Sequence, residues 1–240
     1  MLFFLSLLEE VFSPLRVFQY ITVRTVAGAG TAFLICIVLG PRVIRLLQRL
    51  KVGQYVRTEE APPLYALHES KQGTPTMGGI LIIAAVVISC LLWAKPTNFF
   101  VQVAVTTMCW MGGVGFLDDY AKLKQKNATG MSGRGKLLLQ SAWAAIVLVL
   151  LLWHPETSSN VRSLMVPFLK APLIRDMGVI LAFVFVVTVI VGATNAVNLT
   201  DGLDGLAIGC TSSVALSYLV MAYAAGHVRF AEYLYIPYVR

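Results

Sequence analysis

Charge is scarce in this chain: 13% of its 240 residues are Asp, Glu, Lys or Arg, against about 25% in an average soluble domain. With 58% hydrophobic residues, a water-soluble globule does not fit. Cysteine is sparse as well. Cys36, Cys90, Cys109 and Cys210 each fall inside apolar stretches without CxxC spacing, which argues against a disulfide framework or a zinc site and leaves packing as their role. Histidine is limited to His68, His154 and His227, scattered along the chain. Internal repeats and low-complexity tracts are absent, and the loops are too short for a second soluble domain.

What the sequence has in abundance is long uncharged runs. A net charge of +7 could suggest a nucleic-acid partner in a soluble protein, but here the basic residues sit between the apolar runs. They read as membrane-flanking loops, and no nucleic acid is expected. Six runs approach the roughly 20 residues that cross a bilayer: residues 24–42 with an earlier start near 17, then 76–93, 99–117, 137–153, 177–196 and 206–225. In the first of these Arg24 must snorkel or face protein. Residues 1–8 are apolar but lack a basic flank and a small-residue cleavage site, so they read as an interfacial or capping segment rather than a cleaved signal. The expected fold is all-α: a polytopic helical membrane bundle forming one domain over residues 1–240.

Orientation follows the basic residues. Arg42, Arg45, Arg49, Lys51, Arg57 and Lys71 lie in one loop, and Lys122, Lys124, Lys126, Arg134 and Lys136 in another, together 11 of the 19 Lys and Arg. Alternation puts both loops on one side, cytoplasmic by the positive-inside rule, together with the turn between the last two spans. Trp93 and Trp153 fall at the opposite ends of their spans, where aromatic-belt residues belong.

The chemistry-bearing residues cluster on that cytoplasmic face. Asp118 and Asp119 follow the apolar run GGVGFL at the mouth of the third span. Neighbours on a helix point about 100° apart, so the two carboxylates can take different roles or flank one ion; the plain alternative is a solvated helix end. NAVNLTDGLDGLA sets Asn195, Asn198, Asp201 and Asp204 at intervals of three, with Gly202 and Gly205 marking a break in the backbone that would let several oxygens converge. An ordinary Asx/Gly turn is the plain alternative there. KQGTPTMGG brings Lys71, a phosphate-binding candidate, to the glycine-rich entrance of the second span. Lys136, opening the fourth span, suits a phosphate or a snorkelling role, whereas Lys122, Lys124 and Lys126 read as a solvated face drawn to anionic lipid. Hard oxygen ligands without usable thiolates select Mg²⁺ or Mn²⁺. Carboxylates for Mg²⁺ and lysines for phosphate are the parts of a phosphoryl-transfer site, and the membrane setting implies a lipid substrate. A transporter would hold its acidic groups near the midplane instead.

With GTPTMGG, FLDDY and NAVNLTDGLDGLA in this order, the whole chain resembles the phospho-N-acetylmuramoyl-pentapeptide transferase family of the polyprenyl-phosphate N-acetylhexosamine-1-phosphate transferase superfamily. PTMGG favours this branch over the N-acetylglucosamine-phosphate one. The resemblance implies transfer of phospho-N-acetylmuramoyl-pentapeptide from UDP to undecaprenyl phosphate, giving lipid I and UMP with Mg²⁺, at the bacterial inner membrane in peptidoglycan synthesis, by a homodimer. Carried over by motif, Asp118 and Asp119 are the catalytic pair. Lys71, Lys136, Asn195, Asn198 and Asp204 bind substrate, and Asp201 and Asp118 are the metal candidates. Family members have ten spans against the six read here, and a later Asp and a histidine-rich loop have no counterpart. A truncated chain without activity of its own is therefore the rival expectation.

Overall fold

The computed structural model describes residues 2–10, 12–49, 77–125, 130–166, 169, 171–201, 203 and 205–239. Among them the architecture is helical, with a single isolated antiparallel bridge between Leu164 and Ile174 in place of any strand. The chain divides into two compact units, Met1–Lys136 and Leu137–Arg240.

In the first unit, two 3₁₀ segments, Leu2–Leu8 and Ser13–Gln19, pack together ahead of α1 (Ile21–Arg49). The guanidinium of Arg24 lies 4.9 Å over the Phe3 ring, so this charge does face protein. The helix α2 (Gly79–Trp93) lies against α1. Trp93 donates its indole N–H to the Thr31 hydroxyl at 2.9 Å, packs over Gly28 and lies 5.9 Å from the Phe18 ring. It thus joins α1 and α2 at their shared end, while Trp153 is 82% exposed. In turn α2 meets α3 (Phe99–Gln125) where Gly112 faces Ile83 so closely that a Cβ would collide with it. Small residues allow such approach between membrane helices.

The second unit contains most of α4 (Gly133–Trp153), the bridged turn, α5 (Gly178–Thr200), α6 (Leu206–Ala225) and the short α7 (Val228–Leu234). Five helices, α1 and α3 to α6, are long and apolar enough to cross a membrane. The remaining expected span is the 15-residue α2, about 22 Å long at 1.5 Å per residue. Met77, at φ 68°, sets its start, and residue 76 lies outside the described residues. No residue of α6 is buried.

One helix departs from its apolar run. The hydrophobic stretch in α3 stops at Leu117, but the helix continues through YAKLKQ to Gln125. These are mostly good helix formers, and Lys122 and Lys124 in the last turn complement the C-terminal end of the macrodipole. Asp118 and Asp119 therefore lie inside a helix, not at its end.

Candidate functional site

Asp118 is 5% exposed, the one buried carboxylate among the described residues. Charge at that depth is costly unless it is paired and hydrogen-bonded. Three donors meet the cost. Lys122 Nζ lies 2.9 Å and Lys136 Nζ 3.0 Å from Asp118 Oδ2, and the Met131 backbone N–H donates to Oδ1 at 3.0 Å. Lys122 also reaches Asp119 Oδ1 at 3.1 Å. One ammonium thus ties together both members of the pair.

Local sequence explains the cluster. Residues three and four apart on a helix are neighbours, so Lys122 meets both carboxylates one turn back. Lys136 stands in the first turn of α4, whose entrance is shaped by Gly130 at φ +62°. A Cβ on Gly130 would come within 2.7 Å of Asp118 Oδ1 and 2.9 Å of Lys122 Cε. Only glycine satisfies both that backbone and that space. The reading of Lys122 as part of a solvated, lipid-facing stripe is therefore corrected: it is the bridge of the cluster. Lys124 is exposed, as that reading required, and Lys126 lies outside the described residues.

The second motif is built differently. The sequence placed a backbone break at its glycines, and α5 ends at Thr200 with Asp201 as its cap, while Gly205, at φ +81°, opens α6. Asn195 and Asn198 are still helical, so the oxygens of this motif do not all come from a loop. Asn195 donates from Nδ2 to Gln140 Oε1 at 2.8 Å and to the Val191 carbonyl at 2.8 Å. Gln140, inside α4, is 2% exposed, and a polar residue within an apolar span is the sequence signal that marks it. Asn198 and Asp201 are exposed. Lys71 and Asp204 lie outside the described residues.

The two metal candidates sit in different surroundings. Asp118 Oδ2 accepts from two ammonium groups and Oδ1 from a backbone N–H, so three donors already offset its charge. Asp201 offers an exposed carboxylate at a helix C-terminus, where the backbone dipole favours positive charge. That donor suits Mg²⁺, which takes one or two protein carboxylates and completes its shell with water and phosphate oxygens. Among the described residues no group of three or more His, Cys, Asp or Glu forms a ready-made metal cage.

Comparison with known proteins bears on what such a site serves. The family model of glycosyl transferase family 4 matches residues 99–238, which contain both motifs. The chain belongs to glycosyl transferase family 4. Residues 71–83 match signature 1 of phospho-N-acetylmuramoyl-pentapeptide-transferase. The chain is 46% identical over 241 residues to the phospho-N-acetylmuramoyl-pentapeptide-transferase of Methylacidiphilum infernorum, covering 100% of this chain and 66% of that protein. It is 44% identical over 229 residues to the protein of the same name from Endomicrobium trichonymphae, covering 95% and 62%. A third relative of that name, from Desulfotalea psychrophila, is 46% identical over 232 residues, covering 97% and 62%. The chain thus spans slightly less than two thirds of the length of these relatives.

Proposed function

We propose that this family 4 chain transfers phospho-N-acetylmuramoyl-pentapeptide from its UDP carrier to undecaprenyl phosphate, forming lipid I and releasing UMP. The observation that carries the reading is the signature match at residues 71–83, because it separates this branch from other transferases that act on polyprenyl phosphates. In the reaction, a phosphate oxygen of the lipid forms a bond to the sugar-bearing phosphorus while the bond from that phosphorus to UMP breaks. The residues suit this chemistry, which consists mostly of positioning and charge neutralisation. Lys136 spends one contact on Asp118, and an ammonium has three N–H donors, so it can hold a phosphate oxygen from the same position. Lys71, in the signature segment, supplies a second positive charge. Asn195, oriented by Gln140, and Asn198 and Asp204 serve the nucleotide-sugar. Asp201 holds Mg²⁺, which when bound offsets charge on the diphosphate.

The basic loops argue that the site opens to the cytoplasm at the inner membrane. A homodimer, as the family resemblance implies, belongs to the same proposal. Exchange of labelled UMP into the UDP-sugar by the full-length protein tests the reading. Exchange is expected only with undecaprenyl phosphate and a divalent cation, Mn²⁺ replacing Mg²⁺. Full exchange in chelator refutes the metal assignment, and exchange that ignores the lipid refutes the transfer.

A further inference from the structure

The basic stripe on α3 contains a lysine with a different task from its neighbours. Lys122 is half-buried, with 37% of its side chain exposed, against 31% for Asp119 and 8% for Asp118. Its ammonium contacts Asp118 Oδ2 and Asp119 Oδ1 at once. The groups facing Asp118 come from three segments: Lys122 on its own helix, Lys136 on α4, and the Met131 N–H together with Gly130 in the intervening turn. Every one of them either donates to the carboxylate or makes room for it. Asp119 belongs to the same network through Lys122 but stands nearer the surface. The two adjacent carboxylates, alike in sequence, are thus unlike in access.

We propose that Lys122 is a positioning residue that locks the pair in one geometry, with Asp118 as the buried anchor and Asp119 as the member presented to substrate. Two neighbouring carboxylates repel each other, and a cation shared between them offsets that repulsion and fixes the separation of their oxygens. Because Lys136 binds the same Asp118 oxygen, Asp118 transmits the restraint from α3 to the lysine that opens α4. Preorganised charge of this kind is what a phosphoryl-transfer site requires, since groups that must reorganise during reaction stabilise the transition state less.

The role in reaction rests on the proposed transfer, whereas the clamp does not, so the test has two arms on the full-length protein. In the first, a carbodiimide, which condenses a carboxylate with an adjacent amine, is applied to the folded protein, and the Asp118–Lys136 link is quantified by mass spectrometry. The link is expected in the wild-type protein, to fall at least about fivefold in Lys122→Met and to return to within about twofold in Lys122→Arg, which keeps the charge. Equal yield in Lys122→Met overturns the clamp, whether or not the protein transfers a sugar phosphate. In the second arm, UMP exchange in Lys122→Met is expected to lose at least about tenfold in kcat with KM for the UDP-sugar within about threefold, the pattern of a defect expressed in the transition state, and Lys122→Arg is expected to recover most of it. Unchanged kcat beside a weakened link overturns the positioning role. Absence of exchange in the wild-type protein refutes the transfer reading and leaves the first arm to decide the clamp.

Discussion

Asp118 and Asp201 are both motif carboxylates, and their surroundings differ in every respect. The first lies inside a helix, 5% exposed, with both oxygens engaged by lysines and a backbone N–H. The second caps a helix and is exposed. Around Asp118 the protein supplies the compensating charge itself, so the geometry exists before any ligand arrives. Asp201 makes no ion pair among the described residues, and its carboxylate is open to an arriving cation. A carboxylate that is already paired restrains its neighbours, while one left to solvent at the negative end of a helix is suited to capture a cation.

The largest effect on this comparison comes from removing the paired charge. Asp118→Asn should lower UMP exchange at least about a hundredfold, the scale of losing an electrostatic contributor, at unchanged protein level in the membrane. Asp119→Asn should lose about as much through the group presented to substrate. Near-normal turnover in both variants would reduce the pair to a feature of helix packing. Asp201→Asn should behave differently: the Mg²⁺ concentration for half-maximal exchange should rise about tenfold, as expected when one of the few protein carboxylates on Mg²⁺ is lost, and saturating Mg²⁺ should restore much of the rate. A loss indifferent to Mg²⁺ would erase the contrast between the two carboxylates.

A smaller effect is expected from Gly130→Ala. A side chain in the left-handed region costs about 1–2 kcal/mol, and here it would also press on Asp118 Oδ1. Thermal unfolding should shift down by a few degrees, with a roughly tenfold fall in turnover as the carboxylate moves. The smallest effect belongs to Lys124→Gln. That exposed lysine, two residues from Lys122, should leave turnover within about twofold, as surface substitutions generally do, and a larger loss would mean that the basic stripe acts as a whole.

Much of this was legible in the residues. The apolar runs marked every long helix, and 206–225 matched α6 at both ends. Asp118, Asp119 and Lys136 stood out as charges beside a membrane, and the structure brings these three together. The rest is not legible in the sequence, for physical reasons. The apolar run ends at Leu117 while the helix does not, because hydrophobicity marks burial in lipid whereas helix continuation depends on the backbone preferences of Tyr120 to Gln125. Lys122 was hidden among lysines at every second position. The spacing of three and four from the Asp pair distinguishes it, because Lys124 faces away from that pair. Gly130 is one of three glycines in GMSGRG, and nothing in composition shows which of them has positive φ. Gln140 is inconspicuous because a single amide does not break an apolar run, yet it accepts the hydrogen bond that orients Asn195.

The central claim, that the chain's clamped carboxylate pair serves sugar-phosphate transfer to a lipid, is tested most directly by product stoichiometry. The full-length protein is given UDP-N-acetylmuramoyl-pentapeptide, undecaprenyl phosphate and Mg²⁺, and UMP and the lipid-linked product are counted together, with Asp118→Asn in parallel. The expected result is equal amounts of UMP and lipid I from the wild-type protein, neither product when the lipid is omitted, and both falling together in the variant. UMP released without lipid-linked product, or equal lipid I from wild type and Asp118→Asn, would contradict the account.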